Sequence, residues 1–213
     1  MDDITGPASA LPHLQQTVQR KLGRCLLRLQ QYERLVKAMI ASSGISGPSR
    51  RMRALQEEKT ESVQKKTLGT LVGIFTENYL THSASDEQAE KIDLEDDLPW
   101  ISFRLQAEMS LERLERTKSE LKELVELRNK LVHHFIEFFD IQSERGCIDA
   151  DDFLDQSFAT IDQQYRELHD GALSMQEVRT AAASFVDSQM FEDILNNAWE
   201  TSSQINGMTE DLK

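Results

Sequence analysis

The chain has 213 residues, of which 39% are hydrophobic and 29% are charged, and its formal net charge is −13. This length suits one folded domain, or one domain with an appendage. No run reaches the roughly 18 consecutive apolar residues of a membrane-spanning helix, and the acidic N-terminus lacks the apolar stretch of a secretory signal. The two cysteines suggest neither a disulfide framework nor a zinc site. We therefore expect a cytoplasmic protein with no membrane partner.

The charge is spread unevenly along the chain. Residues 1–66 contain 12 Lys and Arg against 6 Asp and Glu, a net of +6, whereas residues 67–213 contain 12 against 31, a net of −19. A chain this acidic is not expected to neutralise nucleic-acid phosphates over a broad surface, so any RNA contact must be local. A short basic stripe or a small site would suffice. The asymmetry also allows the basic first third to meet an acidic surface, its own or a partner's.

The sequence predicts helices nearly throughout, beginning with one at about residues 11–41. Its apolar residues recur in alternating steps of four and three, the spacing of a helix-bundle seam. These residues are Val18, Leu22, Cys25, Leu29, Tyr32, Val36 and Met39. Residues 42–48 are rich in Ser and Gly and predict a linker, after which a second helix is expected over residues 49–80. Residues 1–80 are thus predicted to form a helical pair, which serves the bundle or acts as an assembly arm.

Residues 81–109 are predicted to form an acidic loop with a possible strand, because apolar and polar residues alternate from 101 to 109. A long helix is expected over residues 110–139, a break at Gly146, another helix from about 149 to Gly171, and a last helix from Ser174 to about 196. Residues 201–213 are predicted to be a frayed tail. The predicted fold class is all-α: an up-and-down helical bundle with a core at residues 110–200 and one short β-hairpin near residues 91–109.

The helix predicted at residues 121–139 separates its apolar from its polar residues, with one exception. At 100° per residue the apolar side chains fill an arc of about 180°, wide enough to pack on the bundle and on a second subunit. Arg128 lies in the middle of that arc. Because an unpaired guanidinium is costly in apolar surroundings, Arg128 either pairs with an acid such as Glu108 or Glu112 or faces a cleft or a partner.

Two further polar residues lie at the edge of the same arc. Asn129 and His133 are spaced four residues apart, so they can share a helix face and orient each other. His134 lies in the polar arc and is expected to face solvent. Arg128, Asn129 and His133 together are therefore the candidate site.

Residues 127–135, Leu-Arg-Asn-Lys-Leu-Val-His-His-Phe, resemble the Arg-x4-His signature of HEPN-domain ribonucleases. The resemblance implies a metal-independent endoribonuclease whose site forms where two motifs meet across a homodimer. His133 would move protons, Arg128 would clamp phosphate oxygens and Asn129 would position the His ring or a phosphate. The products would be a 2′,3′-cyclic phosphate and a 5′-hydroxyl. No cofactor is implied, and the sequence has no His-Glu-x-x-His and no cysteine pair at ligand spacing.

Some HEPN toxins continue the motif as Arg-x4-His-x-Tyr, and a nucleotidyltransferase antitoxin modifies that Tyr. Phe135 stands at this position and has no hydroxyl, so this form of silencing is not expected here. The resemblance suggests a toxin or a defence or stress effector, with RNA as substrate and a protein antitoxin or regulator as a further partner. Two alternatives stay open: a non-catalytic HEPN-like module for dimerisation or protein binding, and a plain helical interaction protein in which Arg128 pairs internally.

Overall fold

Helices dominate the computed structural model, which describes residues 10–82, 100–191 and 193. The helices are α1 (Leu11–Ser42), α2 (Met52–Gln64), α3 (Leu68–Asn78), α4 (Leu111–Asn129), α5 (Phe135–Phe138) and α6 (Glu144–Val186). A 3-10 turn (Ser49–Arg51) precedes α2, and a π-helical turn (Lys130–His134) joins α4 to α5. The short strands are β1 (Gly44–Pro48), β2 (Leu80–Thr81), β3 (Trp100–Arg104) and β4 (Ala107–Glu108). The predicted all-α class is confirmed.

The core forms around α1, whose bounds match the prediction to within one residue. The seam residues are buried except for the partly buried Leu22. α1 packs against α2 and α3, and α3 packs in turn against α4. One face of α1 is thus buried against several helices, and the motif region contacts α1 at its π turn while α4 itself packs on α3. None of the described helices has the length and apolarity needed to cross a membrane.

The prediction of a single helix over residues 49–80 is wrong, because the chain forms two helices there. α2 ends at Gln64 and α3 begins at Leu68. Thr67, in an extended conformation, accepts the backbone N–H of Thr70 at 3.5 Å and so caps α3. The break lets α2 and α3 pack separately on α1.

The β-structure joins segments that are distant in the sequence. β1 pairs antiparallel with β3, and β2 pairs parallel with β4. The predicted hairpin falls partly outside the described residues, at 91–99, and its described part contains β3 and β4. Residues 44–48, predicted as part of a linker, instead supply a strand. Gly44 is needed in that strand, because a Cβ there would lie 2.7 Å from the backbone oxygen of Phe103 on β3.

α6 is one helix in a region where the sequence predicted two helices. α6 is continuous through Gly171, and Ser174 donates a hydrogen bond to the backbone oxygen of Asp170 within the helix, at 3.2 Å, instead of beginning a new helix. Gly146 also lies inside α6, in its first turn, where a Cβ would collide with the Asp140 carbonyl. The predicted acidic loop (from residue 83), the end of the last helix (194–196) and the tail (201–213) lie outside the described residues.

The chain divides into two compact units, Met1–His169 and Asp170–Lys213. Within the first unit, residues of α1 contact residues of α6 in the same order along both helices, so the two helices run parallel. Lys21 binds Asp151 and Asp155, each at 2.7 Å, and Arg28 binds Asp162 at 2.9 Å. The basic first third of the chain therefore does meet an acidic surface of its own.

Both cysteines are predicted to resist alkylation in the native protein. Cys25 and Cys147 are free and fully buried, and burial raises the pKa of the Cys25 thiol to about 11 and also raises the pKa of Cys147. Since the thiolate is the reactive form, iodoacetamide at pH 8 should label neither thiol until the protein is unfolded in guanidinium chloride. Mass spectrometry of native and unfolded samples checks this. Rapid native labelling of Cys25 would contradict the packing of α1 on α6.

Candidate active site

The motif lies at the C-terminal end of α4, which the surrounding sequence holds firmly in place. Ser110 caps the helix by accepting the backbone N–H of Arg113 at 3.3 Å. Leu114, Leu121 and Leu124 are buried along one face. Arg128 and Asn129 therefore end a well-anchored helix.

The helix widens by one residue where the motif continues. Lys130–His134 form a π-helical turn, in which backbone hydrogen bonds connect residues five apart. His134 then leaves helical geometry, with φ −124° and ψ 3°, before α5 begins. On an ideal α-helix, Arg128 and His133 would point about 140° apart. Arg128 lies near the end of α4 and His133 lies inside the π turn, and in the structure these two side chains meet.

Arg128 is the centre of the hydrogen-bonded cluster. One guanidinium nitrogen, Nη1, donates to Asn129 Oδ1 at 3.1 Å and lies 3.0 Å from His133 Nε2. A guanidinium has donors only, so Nε2 accepts and the ring proton belongs on Nδ1. The arrangement leaves Nδ1 free to donate a proton and Arg128 with further N–H groups for an anion.

The structure brings the three predicted residues together through a contact that the sequence did not predict. Asn129 and His133 were expected to orient each other, whereas both bond to Arg128 instead. The helical projection placed Arg128 and His133 on different faces because it assumed α-helical geometry throughout. The i,i+5 spacing of Arg and His was the available signal, since it fits a π turn.

Arg128 has no carboxylate partner among residues 10–82, 100–191 and 193. It lines a cleft of about 490 Å³ together with Leu29, Leu68 and Val132, which explains an arginine in an otherwise apolar arc: the stem lies along apolar surface while the charge stays accessible. Polar residues of α1, including Arg34, line the same cleft. Neither Glu108 nor Glu112 pairs with Arg128 in the described structure, so the cleft interpretation replaces the internal ion pair.

The remaining polar motif residues have other contacts. His134 lies 2.8 Å from the Glu137 carboxylate through Nδ1, so it takes no part in the Arg128 cluster. Lys130, predicted on the polar face, is partly buried, and its Nζ lies 4.5 Å from the Phe138 ring centre and 4.2 Å from that of Phe153. Sequence reasoning missed this cation–π contact, which fixes the π turn against α6.

An apolar surface surrounds the cluster. Leu131 and Phe135 are buried, but Val132, Ile136 and Phe138 are 45%, 74% and 61% exposed. Within the described residues, no three His, Cys, Asp or Glu side chains lie close enough to hold a metal ion. The site thus combines a cation, an imidazole and an amide at the edge of an uncovered apolar surface.

Comparison with protein-family models, with curated proteins and with solved structures finds no match to this chain. The interpretation of the site therefore depends on its residues and geometry, together with the resemblance of residues 127–135 to the HEPN signature.

The tautomer of His133 provides a direct test of this geometry. In the neutral ring the proton should reside on Nδ1, because Arg128 occupies Nε2. Long-range ¹⁵N–¹H correlation spectra of the imidazole distinguish the two tautomers, and Arg128→Ala should shift the population toward the Nε2–H form. A wild-type ring protonated on Nε2 would show that the Arg128–His133 bond does not form.

Proposed function

We propose that this protein is a metal-independent endoribonuclease of the HEPN type, acting as a toxin or as a defence or stress effector. The observation that carries the proposal is the 3.0 Å contact between Arg128 and His133. Arg128 has no carboxylate partner among the described residues, and it lines an open cleft together with Glu33, whose carboxylate binds Lys37. A charge-stabilising cation next to a proton-transfer group supplies two of the functions that RNA transesterification uses.

The chemistry follows from these groups. The ribose 2′-oxygen attacks the adjacent phosphorus, the O2′–P bond forms and the P–O5′ bond breaks. One group accepts the 2′-hydroxyl proton and another donates a proton to the departing 5′-oxygen. His133 serves one of these transfers, Arg128 stabilises the charge on the non-bridging oxygens, and Asn129 holds the guanidinium. The products are a 2′,3′-cyclic phosphate and a 5′-hydroxyl.

This reaction needs two proton transfers, whereas each chain supplies one histidine to the cluster. A second copy of the motif would supply the second group, which is why we propose a homodimer with a shared site. The exposed Val132, Ile136 and Phe138 provide the apolar surface for that contact. The same surface also favours the alternative function, a non-catalytic module that dimerises or binds another protein.

We expect cleavage of RNA in EDTA, and substitutions at the cluster should abolish it selectively. His133→Ala should lower the rate by about 10² to 10⁴-fold, and Arg128→Ala by about 10² to 10³-fold. His134→Ala is the matched control, since His134 bonds to Glu137 instead, and it should cleave like the wild type. Gel assays with labelled RNA give the rates, and 3′ ends that a phosphatase frees for ligation only after acid has opened the ring identify the cyclic phosphate. Equal cleavage by wild type and all variants would point to a contaminating nuclease and refute the proposal.

The dimer is tested by placing a charge on the apolar surface. Ile136→Glu should yield a monomer and remove cleavage, because a carboxylate cannot be buried there without a partner. Leu111→Glu changes a similarly exposed apolar residue, 60% exposed, in the first turn of α4, and should leave both assembly and activity intact. Sedimentation velocity measures the assembly. A wild-type monomer that cleaves RNA at micromolar concentration would eliminate the shared site, and a dimer without any cleavage would favour the non-catalytic alternative.

A further inference from the structure

The exposed face of α1 has a composition unlike the rest of this acidic chain. Of the 37 Asp and Glu residues in the protein, none is among the exposed side chains of α1. Its glutamate, Glu33, is partly buried and bound to Lys37 at 2.8 Å. The exposed face instead contains Arg20, Arg24 and Arg34. A surface without a carboxylate over this length is unexpected at a net charge of −13.

These three arginines differ from the other basic residues of α1 in their partners. Lys21 and Arg28 turn toward α6 and are neutralised by its aspartates. Arg20, Arg24 and Arg34 have no carboxylate partner in the part of the chain that the structure describes. Arg24 lies over the Phe158 ring, with its guanidinium carbon 3.5 Å from the ring centre. The basic residues of α1 that bind aspartates of α6 are called the inner set, and the three arginines without a carboxylate partner among the described residues are called the outer set.

The outer set forms one continuous face, which we call the arginine face: Arg20, Arg24, Gln30, Gln31 and Arg34. On an ideal helix these residues share an arc of about 120°, and Arg20 and Arg34 are about 21 Å apart. A hollow of about 460 Å³ lies along Arg20, Arg24 and Gln31. At the other end of the face, Gln30 and Arg34 line the cleft of Arg128, as does Glu33, which is bound to Lys37. The face therefore reaches the cleft that Arg128 lines.

We propose that the arginine face binds the backbone of single-stranded RNA and guides it into the Arg128 cleft. This inference rests on the proposed nuclease function. Arginine is suited to phosphate oxygens because its planar fork forms paired hydrogen bonds, and the glutamines can bond to bases or 2′-hydroxyls without adding charge. A narrow basic face is sufficient for an acidic protein to bind RNA, because only a few phosphates need to be neutralised.

The single-stranded form is favoured by the chemistry and by the surface. Attack by the 2′-oxygen requires its alignment with the departing 5′-oxygen, which a flexible strand reaches and a regular A-form duplex restricts. The stacked Arg24 guanidinium and the exposed Leu27, which lies in the same hollow, provide a flat surface for unpaired bases. The arginine face lies on a single helix, so it is wide enough for one RNA strand.

Binding is tested in the His133→Ala background, so that the RNA stays intact. Arg20→Gln/Arg24→Gln should weaken binding of a fluorescein-labelled single-stranded RNA by about tenfold or more. The slope of log affinity against log salt should decrease by about 0.7 for each arginine removed. Arg116→Gln/Lys122→Gln removes the same charge from exposed positions of α4 that have no carboxylate partner in the described structure, and should bind like the parent. Circular dichroism confirms that both double variants fold.

Cleavage separates this inference from the nuclease proposal. In the otherwise wild-type protein, Arg20→Gln/Arg24→Gln should reduce kcat/KM about tenfold on a long RNA and leave cleavage of a dinucleotide unchanged, because a dinucleotide in the cleft cannot reach Arg20. Cleavage of long RNA that is indifferent to these arginines would overturn the inference and leave the nuclease standing. If the protein binds RNA through Arg20 and Arg24 but cleaves no RNA, the arginine face is an RNA-binding surface and the nuclease proposal is rejected.

Two further ligands test the specificity of the face. A duplex of the same sequence should bind more weakly than the single strand, and equal affinity would overturn the single-stranded assignment. A synthetic peptide with the acidic sequence of residues 83–99 tests whether the face serves protein instead. Binding of that peptide through Arg20 and Arg24, without binding of RNA, would likewise overturn the proposal.

Discussion

The additional residue in the turn Lys130–His134 is the constraint on which the candidate site depends. An α-helix continued through this segment would bury the same leucines of α4 but would separate Arg128 from His133. In the structure with the π turn, Arg128 contacts His133. The same turn places Lys130 against the rings of Phe138 and Phe153. Such turns sacrifice regular hydrogen bonding and occur often at functional sites. Here the burial of Leu131 within the turn and of Phe135 directly after it offsets that loss.

A second constraint is the distribution of charge around α1. Its inner basic residues bind the aspartates of α6, so they hold α1 against the part of α6 that belongs to the same unit. Its outer arginines have no carboxylate partner among the described residues and extend toward the cleft of Arg128. One helix therefore contributes both to the stability of the scaffold and to the electrostatic surroundings of the site, and the net charge of the whole chain conceals this division.

Sequence patterns were most informative where the interactions are local. The seam of α1 follows from its spacing, and all but one of its residues is buried. The i,i+4 argument predicted that Asn129 and His133 orient each other, whereas the contact that joins them in the structure runs through Arg128. The glycines at 146 and 171 were interpreted as helix breaks, although a helix tolerates glycine when packing along its length supplies the stability.

The sequence by itself determined the all-α class, the extent of α1 and the three residues that form the candidate site, because helix periodicity and the misplaced arginine are visible in local spacing. Only the tertiary structure decided that β1 pairs with β3, that α6 is continuous and that α4 ends in a π turn. Each of these depends on contacts between residues far apart in the chain. The decisive contact of the site, Arg128 with His133, belongs to both groups. Its five-residue spacing is written in the sequence, but packing against α1 and α6 determines whether the helix adopts the geometry that this spacing requires.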